Sequence, residues 1–366
     1  DITMLQNVVM MSLRILVRGP ALLVVAAVMA ASCLSACGQI NSAALETEQS
    51  VSDANLSTSE ESQSENDNNK TEKLKIVTTI FPEYDWVRQI AGDKVSDMDI
   101  TMLLDNGVDL HSYQPTADDI MKISDCDLFI YVGGESDEWV NDALKEAVNK
   151  DMQVINLLDV LGEQVKIEEL VEGMQDTEHE EEEEHEEKEY DEHVWLSLKN
   201  AETLCDAIAE ALGNADPDNK AVYDTNKAAY IDQLVSLDNQ YREVADQASV
   251  KTLLFGDRFP FRYLVDDYGL SYYVAFAGCS AESEASFETI SFLAQKIDEL
   301  GLKYVMTIEK SDQKIAKTII ENTQNKDRSI LTLDSMQSTT SADAANGMTY
   351  LSIMEGNLNI LKEALQ

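Results

Sequence analysis

Basic residues are scarce: 27 Lys and Arg stand against 69 Asp and Glu, for a formal net charge of -42. A field of that sign repels nucleic acid and anionic lipid and draws cations, which excludes nucleic-acid binding and turns attention to positively charged ligands. Histidine is scarcer still. The four in the chain are His111, His179, His185 and His193, so any histidine-based site must draw on this short set. Cysteines are few, at 33, 37, 126, 205 and 279, with no CxxC pair among them. That argues against a disulfide framework, and Cys126 and Cys205, in segments that read as strand and helix, fit small buried thiols. The zinc-protease motif HExxH is missing as well.

One long apolar run is present, from Ala21 to Leu34, preceded by Arg14 and Arg18. It is short for a membrane span and has the layout of a secretory signal ending in small residues. Leu34-Ser35-Ala36-Cys37, followed by Gly38, resembles a bacterial lipoprotein signal; the resemblance implies cleavage before Cys37 and acylation of its sulfur. The first nine residues read as upstream sequence outside the fold. Residues 38–72 are rich in Ser, Asn, Glu and Thr and poor in large apolar side chains, the composition of a flexible stalk.

From residue 73 onward strand and helix patterns alternate. Leu74 to Ile80, Ile100 to Leu104, Cys126 to Val132 and Val154 to Leu157 read as strands. Tyr84 to Ala91, a stretch from about Thr116, and Trp139 to Val148 read as helices. The alternation predicts an α/β fold with a mainly parallel sheet flanked by helices. A long amphipathic helix is expected over Asp218 to Gln247. Tyr223, Tyr230, Leu234, Leu237, Tyr241 and Val244 form its core-facing stripe. At about 30 residues and about 45 Å it is long enough to join two lobes rigidly. Strands then resume at Thr252 to Phe255, Tyr272 to Phe276, Tyr304 to Ile308 and Ile330 to Leu333. The expected organisation is a signal with its lipobox (1–37), a stalk (38–72), an N-terminal lobe (73–175) and an acidic loop (176–192). The rest of that lobe with the linking helix (193–249) and a C-terminal lobe (250–366) follow.

Several polar residues fall where such a fold presents ligands. His111 lies just past the second strand, in a loop closed by Pro115; a solvent-exposed loop histidine is the plain alternative. Residues 176–192 form an acidic low-complexity run carrying His179 and His185, readable as a solvated spacer or as an accessory cation-collecting loop. His193 leaves that run and enters an apolar stretch that reads as helical. Asp257, Glu309 and Asp334 stand at the carboxyl ends of three later strands, where acids either cap helices or face a ligand.

Together these segments resemble the metal-binding lipoproteins of bacterial ABC importers for zinc and manganese, the cluster 9 or ZnuA-like substrate-binding proteins. The likeness runs from Leu74 to Gln366. It rests on Lys75-Ile-Val-Thr-Thr-Ile-Phe-Pro, His111-Ser-Tyr-Gln-Pro-Thr, His193-Val-Trp-Leu-Ser, Tyr263-Leu-Val-Asp-Asp-Tyr-Gly-Leu270, Glu282, Glu309 and Leu333-Asp334-Ser. The resemblance implies two α/β lobes joined by one long helix, with one divalent metal between them. His111, His193 and Asp334 are the ligands that carry over. The family's third position, His or Glu three residues before an aromatic, falls here on Arg258, which cannot bind a cation. Asp257 next door, Glu309, Glu282 or water would fill the gap. Two imidazoles with carboxylates suit Zn²⁺ first, with Mn²⁺ or Fe²⁺ as alternatives. The implied partners are the metal ion, an ABC permease and, through the anchor at Cys37, the outer face of the cytoplasmic membrane. A monomer that is not an enzyme is expected. A surface adhesin with a structural metal and a secreted metallohydrolase are the competing readings.

Overall fold

Strands in this computed structural model are short and apolar, and within each sheet a helix carries the chain back from one strand to start the next in parallel. Residues 73–174, 189–278, 280 and 284–366 are described. In chain order the first half holds β1 (Leu74–Thr78), α1 (Phe81–Ala91), β2 (Met98–Met102), α2 (Ala117–Ser124), β3 (Leu128–Tyr131), α3 (Val140–Lys145), β4 (Gln153–Asn156) and α4 (Leu157–Leu161). After residues 175–188, α5 (Leu198–Ala215) and α6 (Lys220–Gln247) follow. The second half adds β5 (Thr252–Phe255), α7 (Arg262–Asp267), β6 (Ser271–Val274), α8 (Phe287–Glu299) and β7 (Tyr304–Ile308). It ends with α9 (Lys314–Asn322), β8 (Ser329–Leu333), α10 (Ser341–Ala345) and α11 (Tyr350–Ala364).

The two sheets share one plan, β2-β1-β3-β4 and β6-β5-β7-β8, parallel throughout. In each the second strand lies outside the first and the third on its other side. The crossovers therefore diverge at the carboxyl ends of the first and third strands, which opens a crevice where ligands gather. β1 and β3 are central and pack on both faces, which is why they read as near-continuous apolar runs.

Element ends depart from the sequence expectation for local reasons. The first helix begins at Phe81 and not at Tyr84, because proline in the first turn has no amide to leave unpaired. The Glu83 carboxylate then accepts the amides of Thr79 (2.7 Å) and Ile80 (3.2 Å). α3 stops at Lys145 rather than Val148, since the Ser124 carbonyl takes the amides of Val148 and Asn149 and pulls the chain away. The stretch after His193 is not a long helix from its start. A single tight turn, Val194–Leu196, precedes Ser197, whose hydroxyl accepts the Asn200 amide and caps α5. His193 is thereby left outside the helix with its ring free to face elsewhere.

The 28 residues of α6 span about 42 Å. Its buried tyrosines and leucines pack on α5 and α1, and further along on α11. Asn226 donates to the Ile90 carbonyl of α1 (3.0 Å), and the Tyr241 hydroxyl donates to the Met354 carbonyl of α11 (2.6 Å). One helix thus touches elements of both halves. An apolar core also crosses between them, including Trp86, Trp195, Phe255, Phe261 and Tyr350. A second cluster around Leu293 and Val305 covers the far face of the second sheet.

Trp195 is the pin of the shared core. Its indole donates to the Ser335 carbonyl (2.9 Å), and its own carbonyl accepts from the Tyr350 hydroxyl (2.6 Å). Trp195→Ala should cost about 3–5 kcal/mol in denaturant unfolding, the range for emptying a fully buried aromatic position. A loss under about 1 kcal/mol would mean that the two halves do not depend on this contact.

Candidate metal centre

The first histidine is set by the loop after β2. Backbone pairing continues for two residues beyond that strand, from the Leu103 and Leu104 amides to Thr78 and Thr79. The chain then turns at Gly107, whose φ of 73° is the left-handed conformation that glycine adopts without strain. Asp109 starts a short turn, Leu110–Ser112, by accepting the His111 amide on its side chain (3.0 Å). Thr116 and Asp119 close the loop as a reciprocal cap on α2.

The second histidine is built in the same way. Asp191 accepts the His193 amide on its side chain (2.9 Å), again from two residues upstream. Its backbone is anchored by Tyr263 of α7, whose hydroxyl donates to the Asp191 carbonyl (2.8 Å) and accepts the Lys166 amide (2.9 Å). Against the far side of the ring lies Gly278. A methyl group there would come within 3.0 Å of the His193 ring and 2.8 Å of the Phe259 carbonyl, so only glycine lets this backbone approach.

The loops bring the two imidazoles face to face, with Nε2 of His111 3.2 Å from Nε2 of His193. Zn–N bonds of about 2.0–2.1 Å at a tetrahedral angle place two nitrogens about 3.3 Å apart, so the pair has the spacing of two zinc ligands. Behind each ring stands a carboxylate. Asp191 meets Nδ1 of His193 at 2.9 Å. Nδ1 of His111 is 2.8 Å from the Ser136 hydroxyl and 3.4 Å from Glu192, whose other oxygen accepts the Ser136 amide (2.9 Å). Glu192 fits because residue 134 is glycine; a Cβ there would lie 2.3 Å from the Glu192 carboxylate.

Burial and the neighbouring His193 push the His111 imidazole down to about 3. Burial also opposes charge on His193, but Asp191, aided by Glu192 and Asp109, outweighs it and raises that ring above its ordinary value. Two nitrogen lone pairs cannot face each other at this distance. One ring therefore donates to the other until a cation takes the proton's place between them.

The second-half carboxylates lie at the strand ends expected of them but do not join the histidines. Among the described residues no three His, Cys, Asp or Glu side chains form a metal-holding group. Asp257 accepts the Arg258 amide (2.9 Å) and faces the Ile308 amide (3.4 Å). Glu309 accepts both the amide and the hydroxyl of Ser335 (2.7 and 2.8 Å). Asp334 accepts the Met336 amide (2.8 Å); burial, with Glu309 adding to it, raises its carboxyl to about 6. These three act here as caps of their own loops. What meets the first half is Arg258, whose guanidinium pairs with Asp109 at 2.7 Å. A cavity of about 450 Å³ lies between these loops, lined by Asp109, Asp257, Arg258 and Glu309. On the other side of His111 a cavity of about 590 Å³ is walled by Glu135, Glu138, Glu168, Glu189 and Glu192.

Asp109, Ser136, Asp191, Glu192 and Tyr263 were not singled out from the sequence as site residues. The signal for two of them was present, as Asp-x-His occurs twice, at 109–111 and 191–193. Cys37, His179, His185 and Glu282 lie outside the described residues. Cys126 and Cys205 are buried free thiols, as expected; burial pushes the Cys126 thiol up to about 12.

Two sheets of identical order, bridged by one long helix, with an imidazole pair held by the loops of the first, make a two-lobed α/β protein of the substrate-binding class. The chain belongs to the ZnuA family, described as zinc-uptake complex component A, periplasmic, whose model matches residues 76–364. It is 34% identical over 299 residues to the high-affinity zinc uptake system protein ZnuA of Bacillus subtilis, covering 81% of this chain and 89% of that protein. It is 33% identical over 296 residues to the zinc-binding lipoprotein AdcA of Streptococcus pneumoniae, covering 80% of this chain but 56% of the relative. The chain thus spans little more than half the length of the AdcA relatives it matches. Among solved structures, the Zn(II)-bound ZnuA-like domain of S. pneumoniae AdcA superposes with a TM-score of 0.62 at 30% identity, over 80% of this chain and 99% of that one. The metal-dependent lipoprotein YcdH of B. subtilis gives 0.64 at 29% identity, over the same shares.

Proposed function

We propose that this protein is an extracytoplasmic substrate-binding protein that captures Zn²⁺ between its lobes and delivers it to an ABC permease. The observation that carries the reading is the pair of Nε2 atoms 3.2 Å apart, each backed by a carboxylate. Membership of a zinc-uptake family and the zinc named in its relatives support the same cargo. His111 and His193 are the first two ligands in this proposal. Asp334, Asp257 or Glu309 completes the set by leaving its present amide partner as the cation enters. The wall of glutamates beside His111 is the approach, continuing into the acidic loop with His179 and His185. Anchoring through Cys37 by way of the stalk would keep the lobes near the membrane, acting as a monomer that carries its cargo without transforming it.

Competitive titration of the metal-stripped protein tests this directly. One tight Zn²⁺ equivalent that outcompetes Mn²⁺ and Fe²⁺ is expected, because nitrogen ligands favour zinc over both. Preference for Mn²⁺ or Fe²⁺ would replace the cargo, and no tight equivalent of any of them would overturn the reading.

A further inference from the structure

We infer that Asp191 and Glu192 are a pair of positioning residues, each holding one of the two facing imidazoles so that its Nε2 lone pair is turned to the cation. The inference rests on the zinc reading above and adds residues that are not themselves ligands.

The two acids are adjacent in the chain. Neighbouring side chains in an extended segment leave on opposite sides of the chain, so Asp191 and Glu192 reach two different rings. Asp191 turns to His193, and Glu192 reaches across the loop to His111. Both carboxylates are almost fully buried, at 3% and 2% exposure, so neither serves as a solvated surface charge. One oxygen of Glu192 has no hydrogen bond, and Nδ1 of His111 stands 3.4 Å from it. A buried carboxylate oxygen without a partner is costly, and a proton on Nδ1 of His111 relieves that cost.

Tautomer follows from these contacts. A neutral imidazole carries one N–H, and it settles on the nitrogen that faces acceptors. Nδ1 of His193 faces the Asp191 carboxylate, and Nδ1 of His111 faces the Ser136 hydroxyl and Glu192. With a cation bound, a proton is thus held at each Nδ1 and both Nε2 lone pairs are turned to the cation; without one, the proton shared between the two Nε2 atoms takes the cation's place. The acids also supply negative charge where a cation would otherwise meet two neutral rings and the Arg258 guanidinium. Carboxylates behind metal-binding histidines raise ligand basicity and fix ring orientation in this way.

The test uses the full chain and the isosteric variants Asp191→Asn and Glu192→Gln, titrated with Zn²⁺ and separately loaded with Co²⁺. An amide can donate to Nδ1, which moves the ring proton to Nε2 and blocks the cation. Each variant should lose about 10- to 100-fold in Zn²⁺ affinity. A proton NMR spectrum of the cobalt-loaded wild type should show two far-shifted, slowly exchanging imidazole N–H signals. Asp191→Asn should remove or broaden that of His193, and Glu192→Gln that of His111, which a merely structural role would not do. Asp191 also accepts the His193 amide, so if its variant does not fold, Glu192→Gln decides alone. Wild-type zinc affinity and unchanged N–H signals in the variants would overturn the positioning role while the zinc reading stands. A wild-type protein that takes up no tight Zn²⁺ would overturn both.

Discussion

His193→Ala is expected to weaken Zn²⁺ binding by more than a hundredfold, and His111→Ala by a similar factor. Removing even an outer carboxylate behind a metal-binding histidine costs up to about a hundredfold, and loss of the ligand itself exceeds that. The effect should appear as a missing thermal shift. A protein held at about a thousand times its dissociation constant gains about 4 kcal/mol from its ligand, and a variant that no longer binds gains none. The two substitutions differ in their effect on the unliganded fold. His193 is fully buried between Gly278 and Trp195, so its loss leaves a void, whereas the His111 ring is partly exposed at the edge of a cavity. His111→Ala should therefore keep the wild-type melting temperature without metal. If both variants instead unfolded in the absence of zinc, the metal would be structural and the adhesin-like reading would gain. If the zinc-dependent shift survived in both, the imidazole pair would not be the site.

The fold was legible in the sequence because its signals are local. Alternating apolar runs and helices, the spacing of Tyr223, Tyr230, Leu234 and Tyr241, and acids after strands each follow from a single segment. The parallel sheets and the long helix were recoverable from them. Of the candidate site, the histidine pair was legible. His111 and His193 stand 82 positions apart, but each sits at an element boundary, and both turned out to face one point. What escaped was decided by contacts between segments distant in the chain. Glu192 looked like the last residue of an acidic spacer. Its reach to His111 depends on Gly134 leaving room, and nothing in a run of glutamates distinguishes the one that turns inward. The roles of Asp257, Glu309 and Asp334 were equally hidden, since a carboxylate after a strand caps a loop or binds a cation depending on the donors it meets. In this structure each meets backbone amides.

Arg258→His should tighten Zn²⁺ binding by about tenfold or more, the equivalent of at least about 1.4 kcal/mol. Position 258 lies in the loop after β5, where the family resemblance implies a third protein ligand, and its side chain already reaches Asp109, two residues from His111. Like charges in a partly buried site repel, and the repulsion scales with the charge of the ion, so a guanidinium there works against a divalent cation. Pairing with Asp109 cancels much of that opposition at the expense of tying up the carboxylate. The substitution removes the positive charge, releases Asp109 and offers an imidazole. The fold should tolerate it. The Arg258–Asp109 pair is about one-fifth exposed at each partner, and Asp109 keeps the His111 amide as a donor when the guanidinium is gone, so its carboxylate is not left unpaired. Arg258→Ala separates the contributions, since it relieves the charge without adding a ligand and should gain less than histidine does. The d–d spectrum of bound Co²⁺ should change with histidine and hold with alanine. An Arg258→His protein that binds zinc no better than Arg258→Ala would show that the β5 loop does not bring position 258 to the cation. Weaker binding in both variants would mean that the arginine supports the site, through the posture it imposes on Asp109 and the His111 turn.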